Sequence, residues 1–595
     1  METDDLVLGV AQSLQGRAWR FRPALERQVG ALRQTLHIPE MLARVLAGRG
    51  IELDDAAEYL NPSLRALMPD PSVLQDMDKA AARVAEAIIA GEEVAVFGDY
   101  DVDGATSSAL LQRFFVGAGG RLRIYIPDRI AEGYGPNIPA LLKLKAEGVA
   151  LVITVDCGIS AHAQLTAARD AGLEVMVVDH HMAEPALPPA VAIVNPNRLD
   201  DDSGLGYLAA VGVAFLLCVA VNRALRARGW YGDARPEPDL MALLDLVALG
   251  TVADVVPLVG LNRALVSQGL KVMGRSGNIG LQALMKVARL DEPPGPYHLG
   301  FLLGPRVNAG GRVGEAELGA RLLTTLDSIE AAELAQALDR YNGERQAIEA
   351  GVQDDALARL FTKHGGEPAG PMAFVAGEDW HPGVIGIVAG RLKERYEMPS
   401  LVIAIDDQGI GKGSARSITG VDLGAAVTAA RQAGILINGG GHKMAAGLTV
   451  EAARIPELEA FLIDRLSEPF HAARASRALL LDGALSAGAV SIELIEQLLQ
   501  AGPYGAGNPS PRFALPHMKV AFADVVGADH VRATFEGLDG SRIKGVAFRA
   551  ATTDMGQAIL TGHGRRFHVA ANLKINSWNG RRTAEIQIED AALVG

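Results

Sequence analysis

The sequence predicts a multidomain α/β protein in which a parallel-sheet domain is joined by a long helix to a smaller α/β domain, followed by an all-β C-terminal domain. Three observations predict this architecture. Apolar runs alternate with helical stretches between about residues 80 and 260, residues 327–364 form a charged amphipathic pattern, and short alternating strand patterns fill the chain after about residue 470. At 595 residues, the chain is too long for a single hydrophobic core.

We therefore expect five regions along the chain. They are an N-terminal accessory region (1–75), the parallel-sheet domain (76–265), a helical connector that carries a glycine-rich loop (266–365), the smaller α/β domain (366–455) and the C-terminal β domain (466–595). The proline-rich accessory region says little about function.

Composition predicts a cytoplasmic protein. The two cysteines, Cys157 and Cys218, are too few for a disulfide framework, and the acidic start METDDLVLGV is unlike a signal peptide. The uncharged run Ser203–Val221 is just long enough to cross a bilayer, but its glycines and charged flanks favour a buried helix, so we expect no membrane association. The net charge of −14 argues weakly against a nucleic-acid partner but does not exclude one, because local clusters of positive charge decide such binding.

Five apolar, β-rich runs predict the strands of the first sheet. They are Val94–Phe97, Leu122–Ile126, Leu151–Val155, Glu174–Val178 and Val191–Val194. The helical stretches between them indicate a parallel sheet covered on both faces. In such sheets, ligands bind beyond the carboxyl ends of the strands.

Acidic residues and histidines follow several of these strands. Asp99, Asp101 and Asp103 come directly after the first, Asp156 follows the third, and the residues 179–181, Asp-His-His, follow the fourth. The apolar segment Leu243–Val252 leads in the same way to Asp254. One acidic strand end alone fits a solvated turn equally well. Four that meet in one crevice favour a metal site, because converging carboxylates stay ionised only beside a cation.

The types of ligand predict the metal and the class of reaction. Carboxylates with a minority of imidazoles suit Mn²⁺ or Mg²⁺. About five donors exceed what one catalytic ion needs, so we expect two ions. Such a pair implies phosphoester or phosphoanhydride hydrolysis. We expect Cys157 to pack at its strand end rather than to act as a nucleophile.

Glycine-rich and basic segments further along the chain could bind a phosphate-containing substrate. Residues 303–312 predict a loop with two arginines, which is either a hinge between helices or a grip on phosphate. Residues 411–417 lack the frame of a P-loop, and the glycines at 439–441 form either a plain turn or an anion-binding nest.

The C-terminal domain interleaves basic and aromatic residues, a combination that suits single strands. These residues are Arg565, Arg566, Phe567, Lys574, Trp578, Arg581 and Arg582. The aromatic residues could equally form the core of a structural barrel.

Four of these motifs resemble those of the DHH phosphoesterase family: GDYDVDG at 98–104, DCG at 156–158, DHH at 179–181 and ALGTVADVVPL at 248–258. The sequence LGPRVNAGGR at 303–312 is similar to the family's single-strand-specific exonucleases. GSARS at 413–417 with GGGH at 439–442 resembles the DHHA1 substrate-binding domain, and residues 502–509 look like the lead-in to an OB domain. The resemblance therefore implies a parallel-sheet DHH domain, a smaller α/β DHHA1 domain and a C-terminal OB-fold.

The resemblance also implies roles for individual residues. The implied metal ligands are Asp101, Asp103, Asp156, His180 and Asp254, with Asp156 as the bridge and Asp99 as a further ligand or a supporting residue. His181 matches the residue that contacts the scissile phosphate. The implied substrate-binding residues are Arg306, Asn308 and Arg312 along the DNA path, and Ser414, Arg416 and His442 across the cleft from the metals.

The function implied is a 5′→3′ exonuclease of single-stranded DNA that releases 5′-mononucleotides by two-metal phosphodiester hydrolysis. The family resemblance suggests recombination and DNA repair, including mismatch repair, with a single-strand-binding protein and a helicase as partners. We expect a monomer. Two alternatives are a DHH phosphodiesterase of short oligonucleotides or cyclic dinucleotides, and an inactive DHH-like DNA-binding scaffold. The C-terminal domain and the 303–312 segment argue against the first, and the complete set of motif carboxylates and histidines argues against the second.

Overall fold

The computed structural model describes residues 6–129, 131–275, 277–578 and 580–594. In chain order it contains a helical N-terminal region, a parallel α/β domain, a helical connector, a mixed α/β domain and a β-barrel. The predicted fold class is confirmed.

Five parallel strands form the first sheet. In spatial order they are Arg121–Tyr125, Glu93–Gly98, Leu151–Val155, Glu174–Val178 and Ala192–Val194. The helices that cover its two faces are Met77–Ala90, Val102–Ala118 and Ala210–Ala227 on one face, and Ile138–Ala146 and His162–Asp170 on the other. Because the strand Glu93–Gly98 lies between the next two strands of the chain, its carboxyl end is the switch point at which such sheets bind ligands.

The helix Ala210–Ala227 is the one helix of the described chain that is long and apolar enough to cross a membrane. Its apolar window is 72% buried, and it packs against Met77–Ala90 and Val102–Ala118. The structure therefore places the helical part of the run Ser203–Val221 in the protein core, as predicted.

The connector is built of helices, and two expectations are corrected here. The helices Leu244–Ala253 and Gly260–Gly274 lead into it, and its own main helices before the long one are Ile279–Val287, Gly304–Val313 and Leu318–Thr324. The segment that leads to Asp254 is thus a helix and not a strand. The glycine-rich loop predicted at 303–312 is also helical: a π-helix at Leu299–Leu303 runs directly into Gly304–Val313. Pro305, which cannot donate a backbone hydrogen bond, lies directly after the π-turn, where the regular helical hydrogen-bonding pattern changes.

One 37-residue helix, Ser328–His364, joins the two α/β domains. It spans about 55 Å at the usual rise per residue. The Asp327 side chain accepts hydrogen bonds from the N–H groups of Ile329 and Glu330 at its start, and Gly365 adopts a left-handed conformation at its end. The predicted long helix at 327–364 is confirmed.

The second sheet has five strands of mixed direction. In spatial order they are Asn438–His442, Ala445–Glu451, Ile410–Arg416, Ser400–Ile405 and Ala373–Glu378. The helices Ile385–Tyr396 and Leu423–Gln432 pack on this sheet. Residues 411–417 and 439–443, which were expected to be loops, lie mainly in strands because both pair with Ala445–Glu451.

A helix at Ile455–Ala475 leads to the C-terminal barrel. The barrel strands, in spatial order, are Gly483–Ala484, Arg512–Val526, His530–Glu536, Arg542–Ala547, Arg581–Leu593 and Arg566–Trp578. Pairing of Arg512–Val526 with Arg566–Trp578 closes the barrel. The helices Ile492–Leu499 and Asp554–Leu560 complete this domain.

The N-terminal region packs on the barrel. Three helices, Glu26–Leu36, Glu40–Ala47 and Leu53–Leu60, share one hydrophobic core with the barrel strands. The strand Ala18–Phe21 also pairs in parallel with Ala478–Leu481. Residues 6–60 and 478–594 therefore form one unit, which we call the barrel lobe.

Candidate metal centre and cleft

The first acidic motif turns sharply from a buried strand into a helix. Asp101 caps the helix Val102–Ala118, its Oδ1 accepting hydrogen bonds from the N–H groups of Asp103 (2.9 Å) and Gly104 (3.1 Å). A side chain at Gly104 would lie 2.2 Å from the carbonyl oxygen of Asp99, so only glycine fits. The turn therefore directs Asp99 and Asp101 to the carboxyl end of the strand.

Asp103 is fully buried against the start of another helix. Its two carboxylate oxygens accept hydrogen bonds from the backbone N–H groups of Ala210 (2.7 Å) and Val211 (2.9 Å). The positive end of the helix dipole at Ala210–Ala227 favours this charge. Burial, followed by repulsion from Asp101, nevertheless raises the pKa of Asp103 to about 7.

Asp156 occupies a left-handed backbone conformation, with φ at +59°. It is 3% exposed, and its Oδ1 makes no hydrogen bond. Burial and the nearby charge of Asp101 raise the pKa of Asp156 well above its usual value. A buried carboxylate held in a strained backbone is typical of a functional site.

His180 is oriented by a backbone contact. Its Nδ1 lies 3.1 Å from the carbonyl oxygen of Leu208 and donates to it, so that Nε2 is left as an acceptor. Nε2 faces Oδ1 of Asp156 at 3.2 Å and Oδ2 of Asp254 at 3.7 Å. Burial, with the charge of His181, lowers the pKa of His180 and so favours the neutral ring. Acceptor atoms at these distances repel one another, and a cation between them would stabilise the arrangement.

Asp179 supports the neighbouring histidine. Its Oδ1 lies 2.8 Å from Nδ1 of His181 and also accepts the N–H groups of both histidines. Burial acts to raise the pKa of Asp179, but the hydrogen bond and charge of His181 outweigh it and hold this pKa below its usual value. The His181 ring is thereby fixed at the cleft, with 49% of its side chain exposed.

Asp254 follows the last residue of the helix Leu244–Ala253. A carboxylate is disfavoured at this position, because the carboxyl end of a helix carries partial negative charge. Its Oδ2 is buried without a hydrogen bond, and burial together with repulsion from Asp103 raises the pKa of Asp254 to about 9. The helix end therefore brings into the cluster a buried carboxyl group whose Oδ2 has no hydrogen-bond partner.

Three overlapping groups of side chains fit divalent cations. Within each group, one ligand atom per residue lies within 4.8 Å of the others: Asp99, Asp101 and Asp156; Asp103, His180 and Asp254; Asp156, His180 and His181. The buried oxygens without a hydrogen bond include Oδ1 of Asp99, Oδ1 of Asp156 and Oδ2 of Asp254. Since buried polar atoms are rarely left unpaired, these oxygens fit Mn²⁺ or Mg²⁺ as their missing partners.

The connector helix Gly304–Val313 lies beside this cluster. The Asn308 Oδ1 accepts the N–H of Val102, and Arg312 Nη1 donates to the carbonyl oxygen of Gly383 in the second α/β domain (2.9 Å). Arg306, in contrast, donates to Asp339 (2.9 Å) and to the carbonyl oxygen of Leu302. Its side chain thus stabilises the connector in this conformation, and its contact with DNA stays a prediction.

The second α/β domain contributes Arg416 and Ser414, whose side chains lie 3.1 Å apart. A side chain at Gly386 would come within 3.0 Å of both, so this glycine permits the close packing. The charge of Arg416, after burial, lowers the pKa of His442, which puts the two residues in the same part of the cleft. The role of the stretch 380–386 was left open by the sequence. In the structure, Gly383 of this stretch accepts the hydrogen bond from Arg312, and Gly386 packs beside Arg416.

Arg129 was missed by the reasoning from sequence. Its guanidinium lies 5.0 Å from the Tyr100 ring centroid. Burial and then the charge of Arg129 lower the pKa of Arg312, to about 10, and the pKa of Arg416. Arg129 thus acts electrostatically on Arg312 and Arg416, and against the effect of burial its charge also acts to lower the pKa of Asp99 in the acidic cluster. Arg129 follows the strand Arg121–Tyr125, so the strand-end rule applied to basic residues would have found it.

Tyr134 was also missed, and no sequence signal singles it out. Its hydroxyl donates to the backbone oxygen of Asp156 (3.0 Å) and lies 3.5 Å from Nδ1 of His181.

Two further predictions concern buried groups and the barrel. Cys157 is buried, as expected, with its thiol directed at the carbonyl oxygen of Phe97. Phe567 is fully buried in the barrel core and so offers no stacking surface, and the side chain of Trp578 lies outside the described residues.

Comparison with known proteins identifies the family. The family model for the DHH family, N-terminal domain, matches residues 93–251, the DHHA1 domain matches 370–468, and the RecJ OB domain matches 481–590. The single-stranded-DNA-specific exonuclease RecJ of Dickeya dadantii (strain 3937) is 36% identical over 561 residues, which cover 93% of this chain and 96% of that protein. This chain belongs to the RecJ family.

Two solved structures of RecJ from Thermus thermophilus share the fold. The complex with Mn²⁺ aligns with a TM-score of 0.79 and 31% identity, covering 96% of this chain and 79% of the other. The complex with Mg²⁺ aligns with a TM-score of 0.73 and 29% identity, covering 97% and 78%. The predicted DHH, DHHA1 and OB domains are confirmed, and the predicted divalent-metal cofactors agree with the metals bound in these RecJ structures.

Proposed function

We propose that this protein is a single-stranded-DNA-specific exonuclease that degrades a strand from its 5′ end and releases 5′-mononucleotides. The observation that carries the proposal is the cluster of carboxylates and histidines at the switch point. Several of its buried oxygens have no hydrogen-bond partner. The guanidiniums of Arg129, Arg312 and Arg416 lie on the cleft side of this cluster. This combination fits a phosphodiester held between metal ions and arginines. The names of the RecJ relatives support the choice of substrate.

The proposed metal ligands are Asp101, Asp103, Asp156, His180 and Asp254, with Asp99 as a further candidate. Asp156 and His180 each belong to two of the three ligand groups, and the carboxylate of Asp156 offers two oxygens where the imidazole offers one free nitrogen, which supports Asp156 as the bridge. When bound, two divalent ions lower the pKa of a water molecule and neutralise charge on the phosphate.

The side chains themselves bind and orient the substrate. We propose that His181, fixed through Nδ1 by Asp179, directs Nε2 at the scissile phosphate. Arg312 and Arg416 hold phosphate oxygens together with Ser414 and His442, and Arg129 adds a third guanidinium. Asn308 acts by holding the first turn of the helix that Asp101 caps.

The biological setting is also a proposal, and the family resemblance supports it. We propose a monomeric cytoplasmic enzyme of recombination and DNA repair, including mismatch repair, that receives strands from a helicase and a single-strand-binding protein. The division at residues 75, 265, 365 and 455 remains a proposal. Within the N-terminal region, residues 6–60 belong to the barrel lobe, whereas Leu64 and Leu74 pack in the core of the first α/β domain.

Matched substrates test the activity. The same 5′-phosphorylated sequence is supplied as a single strand, as a blunt duplex and as a dinucleotide, each with Mn²⁺ or with EDTA. We expect rapid Mn²⁺-dependent hydrolysis of the single strand and little hydrolysis of the duplex. Faster turnover of the dinucleotide than of the long strand would favour a small-substrate phosphodiesterase, and no hydrolysis of any substrate would favour the inactive scaffold.

A further inference from the structure

Two aromatic side chains are exposed on the connector. Tyr297 is 59% exposed and Phe301 is 69% exposed. Their rings stack on each other, with centroids 5.2 Å apart and ring planes inclined by 24°. Two adjacent exposed rings form a contiguous apolar patch, and such patches are candidates for interaction sites.

The segment that carries the pair packs against the helix Leu244–Ala253, which ends beside the proposed metal ligand Asp254. A side chain at Gly300 would lie 3.5 Å from Cγ1 of Val252, and one at Gly304 would lie 3.2 Å from Cβ of Ala253. These contacts press the connector against the helix end that precedes Asp254. Phe301 belongs to the π-helix Leu299–Leu303, and such turns occur frequently at functional sites. The rings thus lie on an element that packs beside a proposed metal ligand.

Tyr297, the first ring of the pair, also lines a cavity of about 490 Å³ between the connector and the barrel lobe, whereas Phe301 lies outside that lining. Its lining includes Tyr297, Lys271, Leu499, Gln500 and Tyr504. Lys271 is the charged side chain among the described lining residues, and no carboxylate lines the cavity there. An open cavity with cationic and aromatic walls suits a polyanion with flat, stackable groups.

We propose that Tyr297 and Phe301 form a stacking platform for nucleobases of a single strand that runs between the barrel lobe and the metal centre. The inference rests on the proposed function, because it assigns a contact to that substrate. Aromatic faces accept any base, so the platform would hold the strand without sequence preference. A nucleobase is favoured over an acidic peptide because the exposed groups are ring faces and because the same helical segment continues to Asn308 and Arg312.

Binding of abasic oligonucleotides tests the contact itself. A fluorescein-labelled single strand is titrated in EDTA, so that it is not cleaved, and single abasic sites are moved along it. The variants are Tyr297→Leu and Phe301→Leu, which keep apolar bulk and remove the ring. Phe361→Leu is the matched control, because Phe361 is 60% exposed on the helix Ser328–His364, away from the cavity.

We expect each platform variant to weaken binding of the intact strand about 5- to 100-fold and the control to leave it unchanged. One abasic position should weaken binding to the native protein, and the same position should have no further effect in Phe301→Leu. Dinucleotide hydrolysis should be unchanged in all three variants.

Native affinity in both platform variants, or additive losses from the abasic site and the variant, would overturn the inference. Native affinity in both variants would instead favour a protein partner as the ligand of the two rings. If the native protein itself neither bound nor cleaved the intact strand, the proposed function would fail first, so the two failures are distinguishable.

Discussion

Replacing Asp156 with Asn changes the charge at the middle of the proposed metal centre with little change in shape. Asn tolerates the left-handed backbone that Asp156 adopts at φ +59°. Asp156 shares one ligand group with Asp99 and Asp101 and another with His180 and His181, so its loss disturbs both proposed ion positions. Removing a residue that merely supports a metal ligand costs about 10- to 100-fold. Loss of a shared ligand should therefore lower kcat/KM by about 1,000-fold or more.

The same variant should lose stabilisation by metal. At a free Mn²⁺ concentration 100 times the Kd, binding stabilises the folded protein by about 2.7 kcal/mol. For a domain of this size, that corresponds to a rise in melting temperature of roughly 5–10 °C. Differential scanning fluorimetry with increasing Mn²⁺ should show this rise for the native protein and almost none for Asp156→Asn.

Asp245→Asn is the matched control. Asp245 is a buried carboxyl in the same domain, and its Oδ1 accepts the N–H of Leu246 rather than facing the cluster. This variant should retain both cleavage and the Mn²⁺-dependent rise. Cleavage by Asp156→Asn within about tenfold of the native rate in saturating Mn²⁺ would refute the bridging assignment.

Three further predictions concern charge and lobe packing. Arg416→Lys should lower kcat/KM for single strands about 10- to 100-fold in steady-state kinetics, because Lys cannot form the paired hydrogen bonds of a guanidinium. An unchanged kcat/KM would show that Arg416 does not contact the phosphate. Burial raises the pKa of Asp245 to about 6 from 3.8, so its ionisation costs stability above pH 6 and nothing below pH 3.8. Asp245→Asn should accordingly stabilise the protein at pH 7.5 by at most about 3 kcal/mol in urea unfolding, with the gain vanishing near pH 4; equal gains at both pH values would contradict this cause. Deleting residues 478–595 should expose the core shared with residues 26–60 and cause aggregation. Deleting residues 1–60 and 478–595 together should weaken long-strand binding more than dinucleotide hydrolysis. Equal loss of the two activities would mean that the barrel lobe serves the metal centre structurally.

The strand-end rule explains why many residues of the proposed metal centre could be brought together from sequence. Parallel strands bring their carboxyl ends to one edge, so Asp101, Asp156 and His180 could be brought together without coordinates. Asp254 was also included, although it arrives on a helix, because a buried apolar run looks the same for a helix and a strand.

Helix and strand assignments failed where glycine was dense. The segment 303–312 has four glycine and proline residues that suggest a loop, yet packing against the end of Leu244–Ala253 and the start of Val102–Ala118 holds it as a helix. The glycines at 439–441 form a strand because they pair with Ala445–Glu451, and at Gly439 and Gly441 neighbouring elements approach too closely for a side chain. Tertiary packing, which local sequence does not encode, outweighed propensity in both cases.

Contacts between distant segments were the least predictable. The helices at 26–60 complete the core of a barrel more than 400 residues later, and the charge of Arg129, after burial, lowers the pKa of Arg416 in the other α/β domain. Neither interaction leaves a local pattern in the sequence, because each depends on how the domains dock.

End-specific product analysis tests the central proposal most directly. A single strand labelled separately at its 5′ and 3′ ends is digested with Mn²⁺ under conditions in which each enzyme meets one strand. We expect the 5′ label to appear at once as a mononucleotide, while the 3′-labelled strand shortens progressively. Early release of a 3′-labelled mononucleotide, or of internal fragments, would contradict the proposed direction of degradation.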